Sequence, residues 1–108
     1  MPSITFNIIG TQQRGIDFNE KIFDYLCRKE RNSDGDYGLL LDIDKYTYSR
    51  TLKIDELYKL LTICIELYKK YNDEYNWEHN RVRKVCLRLS KLCQEAIEQK
   101  KEIEVKGI

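Results

Sequence analysis

The stretch from Arg81 to Lys91 and its continuation to Ile97 restrict this chain more than any other feature. Val82, Val85, Cys86, Leu89, Leu92, Cys93, Ala96 and Ile97 recur at helical spacing within one arc, while Arg81, Lys84, Arg88 and Lys91 line a neighbouring arc. A helix built this way must bury one side against a core and leave the other wet and basic. An earlier segment beginning near Asp55 has the same character. Leu57, Leu60, Leu61, Cys64, Tyr68 and Tyr71 form its apolar stripe, widened by Ile63, Ile65 and Leu67, so cover on more than one side is expected. Asp55 and Glu56 fall in its first turn, where the helix dipole favours acids.

The rest of the chain supplies short extended segments. Residues 3–9 alternate, with Ile4, Phe6 and Ile8 on one face, and read as a strand closed by Gly10 and a polar turn through Gly15. Asp17 and Glu20 have the spacing of a capping box, which predicts a helix to about Arg28 that buries Phe18, Ile22, Phe23 and Leu26. Lys29 to Gly38 reads as loop. Gly38–Asp44 (GLLLDID) reads as an inner strand ending in acids, and Tyr46 to Thr51 as a second strand or an extended loop. Asn72–His79 reads as a linker, and the alternating tail Glu102–Lys106 as a final strand paired with residues 3–9. The expected fold is α+β: a small three- or four-stranded, mostly antiparallel sheet packed against two long helices and one shorter helix, in one domain over residues 1–108.

Charge decides which partners are reasonable. The net charge is +1, which argues against a dedicated nucleic-acid binder, since phosphate binding draws on a positive excess. The charge is unevenly distributed, however. Residues 17–44 hold eight acids and four bases, and residues 81–94 hold five bases and no acid. Such polarity suits steering toward a charged protein partner. No segment approaches the ~20 apolar residues that span a bilayer, and no charged lead with an apolar run marks an export signal. Cys27, Cys64, Cys86 and Cys93 lack metal spacing and sit on or beside apolar faces, so reduced thiols in a cytoplasmic protein are expected.

Three groups of residues are candidates for chemistry. Asp42 and Asp44, with Asp34 and Asp36 nearby, could hold a hard cation, but they match no calcium-loop spacing and equally suit a strand end entering solvent. His79, the single histidine, sits between Glu78 and Asn80 with no orienting partner in sequence. Eight tyrosines and one tryptophan are many for this length, and Tyr37, Tyr46, Tyr48, Tyr75 and Trp77 avoid the helical stripes, as interface anchors would. With no nucleophile elbow, glycine-rich loop or cofactor signature, the expectation is a protein that is not an enzyme and needs no cofactor or metal.

The segments GLLLDID (Gly38–Asp44), IDELYKLL (Ile54–Leu61) and CQEAIEQKKEIEVKGI (Cys93–Ile108), about a third of the chain, carry a resemblance. A strand ending in D-I-D, two core helices and a terminal strand resemble the plan of small cytosolic bacterial immunity proteins, which neutralise toxins in interbacterial competition. The resemblance implies a protein that inhibits a cognate toxin or effector by occlusion, and it transfers no catalytic residue. The expected partner surface is Asp34, Asp36, Asp42, Asp44, Tyr46, Tyr48 and Trp77, with Arg81, Lys84, Arg88 and Lys91 as the alternative surface for an acidic partner. Two readings of other classes stand beside it: an accessory nucleic-acid-binding module using the basic helix, and a small carboxylate or metal enzyme at Asp42 and Asp44.

Overall fold

The computed structural model describes residues 3–10, 15–30, 37–41 and 49–107. Among these residues four strands and four helices follow in the order β1 (Ser3–Ile8), β2 (Ile16–Asn19), α1 (Glu20–Glu30), α2 (Gly38–Leu41), β3 (Ser49–Leu52), α3 (Ile54–Lys70), α4 (Trp77–Glu98) and β4 (Ile103–Gly107). The strands form one antiparallel sheet in the order β2-β1-β4-β3. The expected α+β fold is therefore present, with four strands, two long helices, one shorter helix and an additional helical turn.

Register explains which sheet face is covered. Ile4 lies opposite Phe18, Phe6 opposite Val105, and Ile103 opposite both Ile8 and Leu52. All of these side chains are buried. Their alternate neighbours Asp17, Thr51 and Lys106 are exposed, so the sheet is apolar on one face and polar on the other. The β4 segment, expected to join residues 3–9, does so and lies between β1 and β3.

The two long helices pack against each other, making the most extensive contact between any two of the described elements. Leu57, Leu60, Ile63, Cys64 and Leu67 of α3 meet a face of α4 that includes Val82, Cys86, Leu89 and Cys93. The four cysteines are free thiols, three of them buried. Glu56 reaches back to accept the Lys53 backbone N–H, which closes the start of α3. At the far end of α4, Lys100 adopts φ 57°. There the Lys101 N–H donates to the Ala96 carbonyl at 2.9 Å and the Lys100 N–H to the Ile97 carbonyl at 3.1 Å. This is a Schellman termination with lysine where glycine is usual.

Three sequence expectations need correction. Residues 16–19 form β2, and α1 begins only at Glu20. The first-turn donor of α1 is satisfied by Asn19, whose Oδ1 accepts the Lys21 N–H at 2.8 Å, not by an Asp17–Glu20 box. Gly38–Leu41 is a helical turn rather than a strand, with the Leu40 and Leu41 N–H groups donating to the Tyr37 carbonyl. Its neighbours are α1 and α3, and fully buried Leu40 plugs the space between them. Finally, α4 begins at Trp77, so Trp77–His79 belong to a helix and not to the linker.

Helix α3 is also less covered than its apolar width predicts. Tyr58, Ile65 and Tyr68 remain exposed, although Tyr68 falls in the predicted core stripe and Ile65 widens it. Among the described residues the main neighbours of α3 are α4 and α2, which cover only one side of it.

Candidate functional site: a basic groove headed by an indole

The start of α4 is fixed by Asn76. Its side-chain oxygen accepts the Glu78 and His79 N–H groups at 2.9 and 3.2 Å, satisfying two donors that have no partner within the helix. Beginning the helix there places Trp77 on the same arc as Arg81, Lys84 and Arg88. The Arg81 guanidinium lies over the indole, 4.8 Å from its centroid, within cation–π range. Trp77 nevertheless remains 59% exposed.

Opposite this arc stand β2 and the first turn of α1. Between them and α4 runs a groove of about 310 Å³. Arg81, Lys84 and Arg88 line one wall, and Asp17, Asn19 and Lys21 the other. Buried Ile22 and half-buried Val85 contribute apolar surface, and Trp77 lines the same groove. A second depression, lined by Gly15, Ile16, Asp17 and Arg88, continues the groove along β2. A shallower one beside Trp77 reaches Asp24, Tyr25 and Glu78.

Four cations, Lys21, Arg81, Lys84 and Arg88, line the groove against one carboxylate, Asp17. Among the described residues, Lys21, Arg81, Lys84 and Arg88 form no salt bridge. The carboxylate of Asp17 accepts a hydrogen bond from the hydroxyl of Thr5, its cross-strand neighbour, at 3.2 Å. Four exposed cations around an apolar floor attract anionic groups, and the two arginines can each grip a carboxylate or phosphate with two parallel hydrogen bonds.

Of the residues singled out in the sequence, Arg81, Lys84 and Arg88 come together in this groove, while Lys91 is exposed and does not line it. Trp77, expected to share a surface with acids and tyrosines, heads the basic row. Asp34, Asp36, Asp42, Asp44, Tyr46 and Tyr48 lie outside the described residues. The sequence marks Ile22 only as a core residue and gives Asn19 and Lys21 no role, because their place in the groove depends on the β1–β2 hairpin. The signal for Trp77 was available: Asn76 is a strong N-cap residue, and a helix begun there puts residues 77, 81, 84 and 88 on one arc.

A second polar cluster joins the ends of α1 and α3. Glu30 is buried, with its side chain 1% exposed. Its carboxylate accepts the Tyr71 hydroxyl at 2.6 Å and the Lys70 ammonium at 2.7 Å. Burial above all, reinforced by the hydrogen bond to Glu30, raises the Tyr71 phenol well above its ordinary range. Tyr25 and His79 meet the Tyr71 ring edge-to-face, at 6.1 and 4.9 Å between centroids. His79 Nδ1 accepts the Asp73 backbone N–H at 3.3 Å, so the histidine holds the α3–α4 connection. Among the described residues, no group of three or more His, Cys, Asp or Glu is placed to hold a metal ion, and no helix is long and apolar enough to cross a membrane.

Comparison with protein-family models, curated proteins and solved structures finds no match to this chain.

Proposed function

We propose that this protein is a non-catalytic binding module that engages an acidic protein partner through the groove between α4 and the β2–α1 corner. One observation carries the reading: Lys21, Arg81, Lys84 and Arg88 surround apolar floor residues and an exposed indole, and among the described residues none of the four cations is neutralised by a salt bridge. Solvated cations on a helix face are ordinary. Cations collected from two elements around a concave surface, with an aromatic anchor beside them, favour recognition. In the form implied by the resemblance to immunity proteins, the partner is a toxin or effector, and binding neutralises it by occlusion. Free thiols buried between α3 and α4 suit the reducing cytoplasm, where such a protein would act.

The test is quantitative capture from a lysate of the source cells, using the immobilised protein and its Lys84→Glu/Arg88→Glu variant in parallel. The reading predicts a partner retained in stoichiometric amount by the native protein and lost with the variant. Equal retention by both proteins, or none by either, would reject the groove as the binding surface.

The cation row and exposed indole also favour a second reading, an accessory nucleic-acid-binding module, since basic grooves with aromatic platforms hold single strands. Salt separates the two: phosphate binding would lose affinity steeply and linearly in log salt, with a slope set by the number of phosphates neutralised.

A further inference from the structure

We infer that the groove accepts its acidic partner as an extended peptide segment, which pairs through its backbone with the outer edge of β2 while its carboxylates meet the α4 cations. This rests on the binding function proposed above and specifies the partner's conformation and chemistry. Two independent features of the groove support it. First, one wall is a sheet edge: β2 is the terminal strand, and among the described residues it pairs with β1 alone. Ile16, Asp17 and Asn19 all border the concavity, so the groove follows most of the strand's length. A terminal strand presents backbone N–H and C=O groups to whatever lies beside it, and an added strand satisfies them. β2 carries no proline or lysine to obstruct such pairing.

Second, the opposite wall is charged with a suitable repeat. Arg81, Lys84 and Arg88 extend for about 10 Å along α4, from the helical rise per residue. Side chains on one face of an extended chain recur roughly every 6.7 Å. Two acidic residues in alternate positions therefore fall within reach of the row, and a hydrophobic neighbour can rest on Ile22 and Val85. Asp17 faces the same groove, and Asp24 and Glu78 border the depression beside Trp77. Those carboxylates would repel a continuous phosphate backbone, whereas a peptide can place neutral residues opposite them. The mixed lining thus favours a peptide over a nucleic acid.

The experiment uses the whole protein and three probes, each titrated to millimolar concentration: a nine-residue peptide of alternating Glu and Thr, the same peptide N-methylated at alternate residues in each of the two possible registers, and a nine-nucleotide oligo-dT strand. Amide chemical shifts and Trp77 emission report binding. The parent peptide should saturate and shift amides of residues 15–22 and 77–88. N-methylation in one register should weaken it at least about ten-fold, because methylation removes the donors while leaving every carboxylate in place. Arg81→Gln and Lys84→Glu/Arg88→Glu should each weaken it, and unchanged far-ultraviolet circular dichroism would verify that their folds are intact. Failure of the parent peptide to bind, equal binding by both methylated forms, or tighter binding of oligo-dT would each overturn the inference. A partner captured from lysate in a charge-dependent way, with no affinity for the peptide, would retain the binding function and remove only the extended-strand mode.

Discussion

Replacing Tyr71 by phenylalanine tests a buried carboxylate contact that ties α1 to the end of α3. Phenylalanine keeps the ring, and with it the edge-to-face contacts to Tyr25 and His79, so little apolar burial changes. What is lost is the 2.6 Å hydrogen bond to Glu30. A hydrogen bond to a charged group contributes about 1.5–3 kcal/mol. Glu30 retains Lys70 at 2.7 Å, which keeps the expected cost near the middle of that range, about 2 kcal/mol. With a urea m-value of about 1–3 kcal/mol/M for a domain of this size, the unfolding midpoint should fall by roughly 1 M. Lys70→Ala should cost less, under about 1 kcal/mol, because the Lys70 side chain is 48% exposed and screened by water. In a Glu30→Gln background, Tyr71→Phe removes a neutral hydrogen bond and should cost only about 1 kcal/mol. Urea unfolding followed by circular dichroism measures the native protein, the three single variants and the double variant. A Tyr71→Phe cost below about 0.5 kcal/mol, or a Lys70→Ala cost exceeding it, would refute the reasoning.

Three further outcomes follow from local geometry and titration. Gly15→Ala would drive its Cβ into the Phe6 carbonyl oxygen, a backbone atom that cannot swing aside; thermal unfolding should show a loss of about 1–3 kcal/mol, with the largest amide shifts at the β1–β2 hairpin. Lys100→Gly relieves the left-handed backbone at the end of α4 and should stabilise the protein by roughly 0.5–1 kcal/mol, read as a rise in Tm of several degrees. Stability should decline above about pH 9, because burial pushes the Cys93 thiol up to about 12, the hydrogen bond that the Cys64 thiol makes to Cys86, together with burial, raises Cys64, and burial raises Tyr71, Tyr25 and Tyr37. Each native group holds its proton more tightly than its unfolded counterpart, so its contribution is complete below the unfolded pKa and is lost as pH rises toward the folded one; unfolding midpoints between pH 7 and 11 measure this, and Tyr71→Phe should flatten the fall above pH 10.

The elements legible in the sequence were those whose burial pattern repeats. The alternation of Ile4, Phe6 and Ile8, the EIEVK tail, and the helical stripes of α3 and α4 each contain several turns or pleats of one period. β2 was hidden because IDFN spans only two pleats and its Asp17 imitates the first member of a capping box. Its identity as a strand comes from pairing with β1, a contact between segments and not a local preference. GLLL misled for a related reason: in a run of three leucines, periods of 2 and 3.6 are indistinguishable, and the contacts with α1 and α3 decided the outcome. The basic half of the candidate site was visible as a helical arc, but its opposite wall was not, since Asn19 and Lys21 reach it only once the hairpin has formed. The Glu30–Tyr71 pair joins residues 41 positions apart, and neither segment alone signals it.

The central claim is that partners meet this protein at the groove headed by Trp77, and site-specific photocrosslinking in the source cells tests it most directly. A photoreactive phenylalanine analogue at position 77 would be compared with the same residue at position 68, an exposed aromatic position on α3. The account predicts a discrete adduct from position 77 that disappears when Lys84 and Arg88 are reversed in charge, and none from position 68. An adduct formed only from position 68, or one from position 77 that survives charge reversal, would contradict it.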